Sequence, residues 1–137
     1  MTIHNLSDGN SVLNQFIAEI RDKNIQKNHM RFRRNLERIG EIFAYEISKT
    51  LRYRPVEITT PLGISTCSLP EDEIVLATIL RAGLPLHNGL LNYFDGAQNA
   101  FIAAYRKYGK DNKFDINLEY VTSPSVDGKI LILADTM

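Results

Sequence analysis

Three charged residues stand directly after runs of apolar residues. Ile74 to Leu80 leads into Arg81-Ala82-Gly83, Ala100 to Ala104 leads into Tyr105-Arg106, and Ile130 to Ala134 leads into Asp135. An arginine presents several donors in a fixed fork that suits phosphate oxygens. Small residues such as Ala82 and Gly83 let a ligand come close to the backbone. From spacing alone, Arg81 is either such an anion donor or the ion-pair partner of a nearby carboxylate, Asp72 or Glu73. Arg106 is an anion donor or an ordinary solvent-facing strand end. A carboxylate after a buried strand meets a hydroxyl or a metal, or caps a following helix, and Asp135 is open to each of these roles.

Other chemistries lack their residues. His4, His29 and His87 are scattered, with no metal-ligand spacing. His87 reads as a surface or packing residue. The sequence has no Gly-x-Gly-x-x-Gly run, no Gly-Lys-Ser/Thr loop and no Gly-x-Ser-x-Gly elbow. Cys67 is the one cysteine, which reads as a small strand residue and fits a reducing cytoplasm.

The elements that must position the charged residues follow from periodicity. Ser11 to Ile20 predicts a helix, with Val12, Leu13, Phe16, Ile17 and Ile20 at three- and four-residue spacing and Ser11 as its cap. Arg21 to Met30 reads as a polar connection. Arg31 to Leu51 predicts a long helix whose stripe is Phe32, Leu36, Ile39, Phe43, Ile47 and Leu51. Its charged residues read as a solvated face. Val56 to Thr59 and Ile64 to Cys67 flank the turn Thr60-Pro61-Leu62-Gly63, a β-hairpin. Ile74 to Leu80, Ala100 to Ala104, Leu118 to Val121 and Ile130 to Ala134 read as strands, Leu84 to Tyr93 as a helix, and Lys107 to Lys113 as an exposed loop. Buried strands alternating with helices predict an α/β fold: a mostly parallel sheet flanked by helices, with an N-terminal helical segment and a hairpin. Ligands of such sheets bind beyond the carboxyl ends of the strands. Arg81, Arg106 and Asp135 are therefore expected on one rim.

Composition bounds the rest. The 137 residues suffice for one domain, 1–137, with 44% hydrophobic and 23% charged residues, a globular balance. Lys plus Arg and Asp plus Glu each number 16, giving zero net charge. That argues against a nucleic-acid partner, which needs clustered excess positive charge, but leaves a single small anion open. No apolar run reaches the roughly 20 residues of a membrane helix, so no membrane partner is expected. Met1 to Asn10 lacks the pattern of a secretory signal.

Ordered segments give a family resemblance. Ile79-Leu80-Arg81-Ala82-Gly83-Leu84, with Asn88-Gly89 after it, resembles the Ile-Leu-Arg-Ala-Gly-Leu segment of the uracil phosphoribosyltransferase family. Phe32-Arg33-Arg34, Ile39-Gly40-Glu41 and Ala44-Tyr45-Glu46 resemble that family's long helix. Thr60-Pro61-Leu62-Gly63 is similar to its Thr-Pro-Val/Leu-Gly turn, and Ala104-Tyr105-Arg106 to its Leu-Tyr-Arg strand end. Ile130 to Met137 resembles the start of its phosphoribosyl pyrophosphate (PRPP) motif, a hydrophobic strand followed by Asp-Pro-Met-Leu-Ala-Thr-Gly-Gly. The likeness runs from about Phe16 onward. Thr136 stands where the family usually has Pro, and His87-Asn88 where Val-Asp is common.

The resemblance implies pyrimidine salvage, the conversion of uracil and PRPP to UMP and pyrophosphate. It implies PRPP binding by Arg81, Ala82, Gly83, Arg106, Asp135, Thr136 and Met137, with no covalent nucleophile and no metal held by the chain itself. Mg2+ would arrive with PRPP, and GTP activates some members. A cytoplasmic homo-oligomer is expected. The family's Thr-Gly-Gly loop and uracil-binding segment would follow Met137, so that residues 1–137 alone would be inactive. The alternatives are an RNA-binding regulator of pyrimidine genes on the same fold, and a non-catalytic interaction module.

Overall fold

The computed structural model describes residues 2–108 and 114–136. Helix α1 spans Val12–Arg21, and Ser11 caps it by accepting the Leu13 N–H at 3.2 Å. After a short 3-10 turn at Ile25–Lys27, helix α2 runs over His29–Ser48. It starts two residues earlier than its apolar stripe suggests because the Asn28 side chain accepts the Arg31 N–H at 3.0 Å. It ends three residues earlier because its last carbonyls are taken by tight turns, Thr50 N–H to Ile47 O and Leu51 N–H to Ser48 O. Asn35, Leu36, Ile39, Gly40 and Ala44 are the buried face.

Strands β1 (Tyr53–Thr60) and β2 (Gly63–Pro70) form the hairpin, paired from Tyr53–Pro70 to Thr60–Gly63. Gly63 has φ 131°, a conformation that side chains rarely adopt, and it closes the two-residue turn at Pro61-Leu62. The hairpin is a sheet of its own. Cys67 is a half-buried residue of β2.

The main sheet has four strands in the order β5-β4-β3-β6, where β3 is Ile74–Leu80, β4 Gln98–Tyr108, β5 Phe114–Thr122 and β6 Ile130–Ala134. Strand β3 is parallel to both β4 and β6, and β5 runs antiparallel to β4. The expected α/β architecture, with a mostly parallel sheet, helices against it and a separate hairpin, is what the chain forms. The loop expected at Lys107 to Lys113 is corrected at its start. Strand β4 continues through Lys107 and Tyr108, whose backbones pair with Asp115 and Phe114 of β5. Ladder bonds to a neighbouring strand outweigh a polar composition. Residues 109–113 lie outside the described residues.

Helix α3 (Leu84–Leu91) follows β3 and packs on α2. The two backbones nearly touch. A Cβ on Gly89 would meet Glu37 C and Glu41 N at 2.9 Å, and one on Gly40 would meet Gly89 Cα at 3.1 Å. Gly89, a poor helix former, is there for this close approach. Leu13, Ile39, Ala44, Leu76, Leu86, Leu90 and Ala134 form the core between the three helices and the sheet. His87 belongs to the interior and not to the surface. It is 2% exposed, its Nε2 lies 2.8 Å from Asn99 Oδ1, and its ring packs on Phe101.

Candidate functional site

Strands β4, β3 and β6 are neighbours and parallel, so their carboxyl ends leave the sheet at one edge. Leu80 is level with Ala103 of β4, and Thr78 with Ala134 of β6. Arg81, three residues past Thr78, and Asp135, one residue past Ala134, therefore emerge at the same edge of the sheet. The backbone of Arg106 lies in β4 three residues past Ala103, in the part of that strand that runs beyond β3 and pairs with β5. At about 3.3 Å per residue that is roughly 10 Å further along β4. Arg81 and Asp135 thus share the rim expected from strand ends, whereas Arg106 does not end its strand: β4 runs on to Tyr108, and Arg106 pairs with Ile116 inside it.

Arg81, Ala82, Asp135 and Thr136 line one side of an open cleft of about 890 Å³. Helices α1 and α2 supply the other side: Ile17, Ile20 and Arg21 from the first, Phe32, Arg33 and Leu36 from the second. Among the described residues, the site thus joins an apolar wall to three guanidinium groups and a single carboxylate. Arg21, Gln26 and Arg33 are cleft residues that strand-end reasoning missed, because nothing in their spacing sets them apart from a solvated helix face. Met137 lies outside the described residues.

Arg81 pairs with neither Asp72 nor Glu73. Asp72 is taken by Arg52, whose backbone N–H donates to it at 2.7 Å and whose guanidinium lies 2.7 Å away. These contacts hold the Asp72 carboxyl below its ordinary range, the backbone N–H contributing most. Glu73 lies 3.5 Å from Lys129. Arg81 is exposed and makes no ion pair among the described residues. An unpaired guanidinium at the end of a buried strand is a ready anion donor.

The turn that carries Arg81 is tightly built. The Leu80–Arg81 peptide is cis. The Gly83 N–H donates to Ile79 O at 3.1 Å and the Leu84 N–H to Arg81 O at 3.3 Å. Gly83 itself is buried, whereas Ala82 is exposed. Among the described residues the Ala82 N–H has no protein acceptor. On β6, the Asp135 carboxylate accepts the Thr136 N–H at 2.8 Å and is otherwise open to the cleft.

The wall opposite is fastened by a polar lock. Glu19 of α1 accepts from Arg31 Nε at 2.8 Å and from Asn35 Nδ2 at 2.6 Å. The Arg31 bond first and the Asn35 bond second draw the Glu19 carboxyl down to about 2. No group of three His, Cys, Asp or Glu side chains able to hold a metal occurs among the described residues. Asp135 is the one carboxylate among the described residues that line the cleft. That donor set fits a Mg2+ ion that brings most of its oxygen ligands with a phosphorylated substrate.

The sequence model of the family described as uracil phosphoribosyltransferase matches residues 8–137. The chain belongs to that family. It is 53% identical, over all 137 of its residues, to a uracil phosphoribosyltransferase of Porphyromonas gingivalis, covering 63% of that relative. It is 40% identical over 108 residues to one of Methanothermobacter thermautotrophicus, 77% of this chain and 49% of that protein. It is 35% identical over 126 residues to one of Thermococcus gammatolerans, 90% of this chain and 54% of that protein. The chain therefore spans about half to three fifths of these relatives' length. A solved protein of Aquifex aeolicus superposes with TM-score 0.80 at 23% identity, over 93% of this chain and 59% of that one, which establishes the fold.

Proposed function

We propose that the protein transfers the phosphoribosyl group of PRPP to uracil, giving UMP and pyrophosphate. The observation that carries this reading is the placement of Arg81 and Asp135 in one cleft, at the carboxyl ends of adjacent parallel strands, in a chain of this family. The bond from the ribose carbon to the pyrophosphate oxygen breaks, a bond to the uracil ring nitrogen forms, and that nitrogen gives up its proton. Negative charge builds on the pyrophosphate as it leaves. Arg81 and Arg106 stabilise it as preorganised donors, joined by the Ala82 N–H. Gly83 serves by its small size, since its N–H is already bonded to Ile79. Asp135 accepts from the ribose hydroxyls, and Thr136 and Met137 begin the phosphate loop. Mg2+ offsets the pyrophosphate charge when bound with PRPP.

The remaining parts of the reading are a cytoplasmic homo-oligomer and GTP as an activator. Self-association is supported by Leu62, Ile64 and Leu69, apolar residues exposed on a hairpin outside the main sheet. Sedimentation at several concentrations, with and without GTP, tests it. The catalytic reading is tested by incubating the full-length protein with labelled uracil, PRPP and Mg2+. Labelled UMP with equimolar pyrophosphate is the expected result, and its absence at any Mg2+ concentration overturns the reading.

A further inference from the structure

Beneath the rim lies a buried polar contact that the proposed chemistry does not use. Thr78 is fully buried in β3, two residues before that strand ends. Its hydroxyl donates to Ala134 O of β6 at 3.1 Å, across 56 residues of sequence. Ala134 is the residue before Asp135. The same hydroxyl faces the Arg81 turn: a Cβ on Gly83 would collide with Thr78 Oγ1, and would meet Ile79 O at 2.8 Å and Ala134 O at 3.1 Å. One side-chain oxygen therefore touches both strand ends that carry the site, the turn of Arg81 and the residue before Asp135.

We infer that Thr78 is a positioning residue for PRPP, setting Arg81 and Asp135 at a fixed separation by joining Ala134 to the underside of the Gly83 turn. This rests on the functional reading above. Two features of the contact argue for a precise role. The hydroxyl is buried, so its bond to Ala134 O meets no competition from water and holds one geometry. Gly83 packs against it with no room for a methyl group, so a shift of either partner moves the other. Threonine is also suited to the position as a strand former, with a branched side chain of few rotamers. Valine keeps that shape and loses the bond; serine keeps the bond and loses a methyl group.

The test compares Thr78→Val and Thr78→Ser in the full-length protein. PRPP binding is measured by calorimetry with Mg2+, kcat and KM are measured for both substrates, and thermal melts are run in parallel. A misplacement on the order of 1 Å costs up to about a hundredfold in rate. The expected result for Thr78→Val is a roughly ten- to hundredfold fall in kcat/KM for PRPP with the KM for uracil unmoved. Thr78→Ser should remain within about threefold of the parent on the same scale. The inference is overturned if Thr78→Val uses PRPP normally, if Thr78→Ser loses as much as Thr78→Val, or if the KM values for both substrates rise together. Should Thr78→Val not fold, Thr78→Ala takes its place. If neither folds, the residue is a folding determinant and the inference fails. A parent protein that binds no PRPP would instead remove the functional reading, and this inference with it. Normal PRPP use by both parent and Thr78→Val removes the inference alone.

Discussion

The turns that follow β1 and β3 are held in opposite ways. At Pro61-Leu62 the hairpin turns on itself: its partners are its own two strands, Gly63 takes a positive φ, and Leu62 is fully exposed. At Arg81-Ala82-Gly83 the chain turns against other elements. Gly83 is wedged over Thr78, Ile79 and Ala134, and α3 begins at once behind it. Glycine serves both turns for different physical reasons, backbone freedom in the first and absence of a side chain in the second. A turn closed by local bonds is free to vary at its tip. A turn packed from below holds its exposed side chains, Arg81 above all, in a set place.

The largest expected effect lies at the second turn. Arg81→Ala in the full-length protein should lower kcat/KM for PRPP roughly a hundred- to thousandfold, about 2.7–4 kcal/mol, the scale for a lost oxyanion donor. The melting temperature should hardly move, because Arg81 is exposed and has no ion-pair partner among the described residues. A variant with normal turnover would place Arg81 among ordinary surface residues and dissolve the contrast between the turns.

The second effect tests packing without chemistry. In an exposed helix, replacing glycine by alanine stabilises by roughly 0.5–1 kcal/mol. Gly89→Ala should reverse that sign, because the new Cβ meets the α2 backbone at Glu37 and Glu41. A loss of about 1–3 kcal/mol in chemical denaturation is expected, the scale for overpacking a tight interior. An unchanged or raised midpoint would mean that α2 and α3 can separate at no cost.

Much of this was legible beforehand. Strand ends could be found because strands read as unbroken apolar runs, and parallel strands must end on a common side, so Arg81 and Asp135 could be paired from sequence. The burial expected of Ile130 to Ala134 is not met, since β6 is an edge strand with Ile130, Leu131 and Leu133 exposed. The long helix was legible in its stripe, though its ends were not, since Asn28 and the turn after Ser48 fix them through local bonds that periodicity does not report. What stayed hidden depends on contacts between distant segments. The apolar wall and arginines of the cleft, Arg21 and Arg33, require the angle between α1 and α2. The burial of His87 requires Asn99 and Phe101 on a later strand, and the Thr78–Ala134 bond requires the strand order.

A third effect concerns the wall facing Arg81. The Glu19 carboxyl is drawn from 4.5 to about 2 in the folded protein by Arg31 and Asn35. A depressed carboxyl pKa stabilises the folded state above the unfolded value, and the contribution is lost as pH falls toward the folded one. Melts of the parent should therefore fall between about pH 5 and pH 2 more steeply than those of Glu19→Gln. Parallel curves would mean that the lock between α1 and α2 contributes nothing to folding.

The smallest effect belongs to the hairpin tip, and its smallness is what it tests. Leu62 is fully exposed, and the nearest side-chain bond, from the Leu62 N–H to Thr60 Oγ1 at 3.2 Å, uses the backbone. Leu62→Ser removes no buried surface and breaks no bond. It should therefore change the stability of the isolated subunit by no more than about 0.5 kcal/mol, as for other surface substitutions away from packed features. If the protein self-associates through this hairpin, stability becomes linked to concentration, because a partner that binds only the folded state stabilises it by mass action. The parent's melting temperature would then rise with protein concentration while that of Leu62→Ser would not, and the two would converge on dilution. Equal melts at every concentration would leave the tip as a free turn. A loss that persists at the lowest concentration would show that the tip is packed within its own subunit, against the contrast drawn between the two turns.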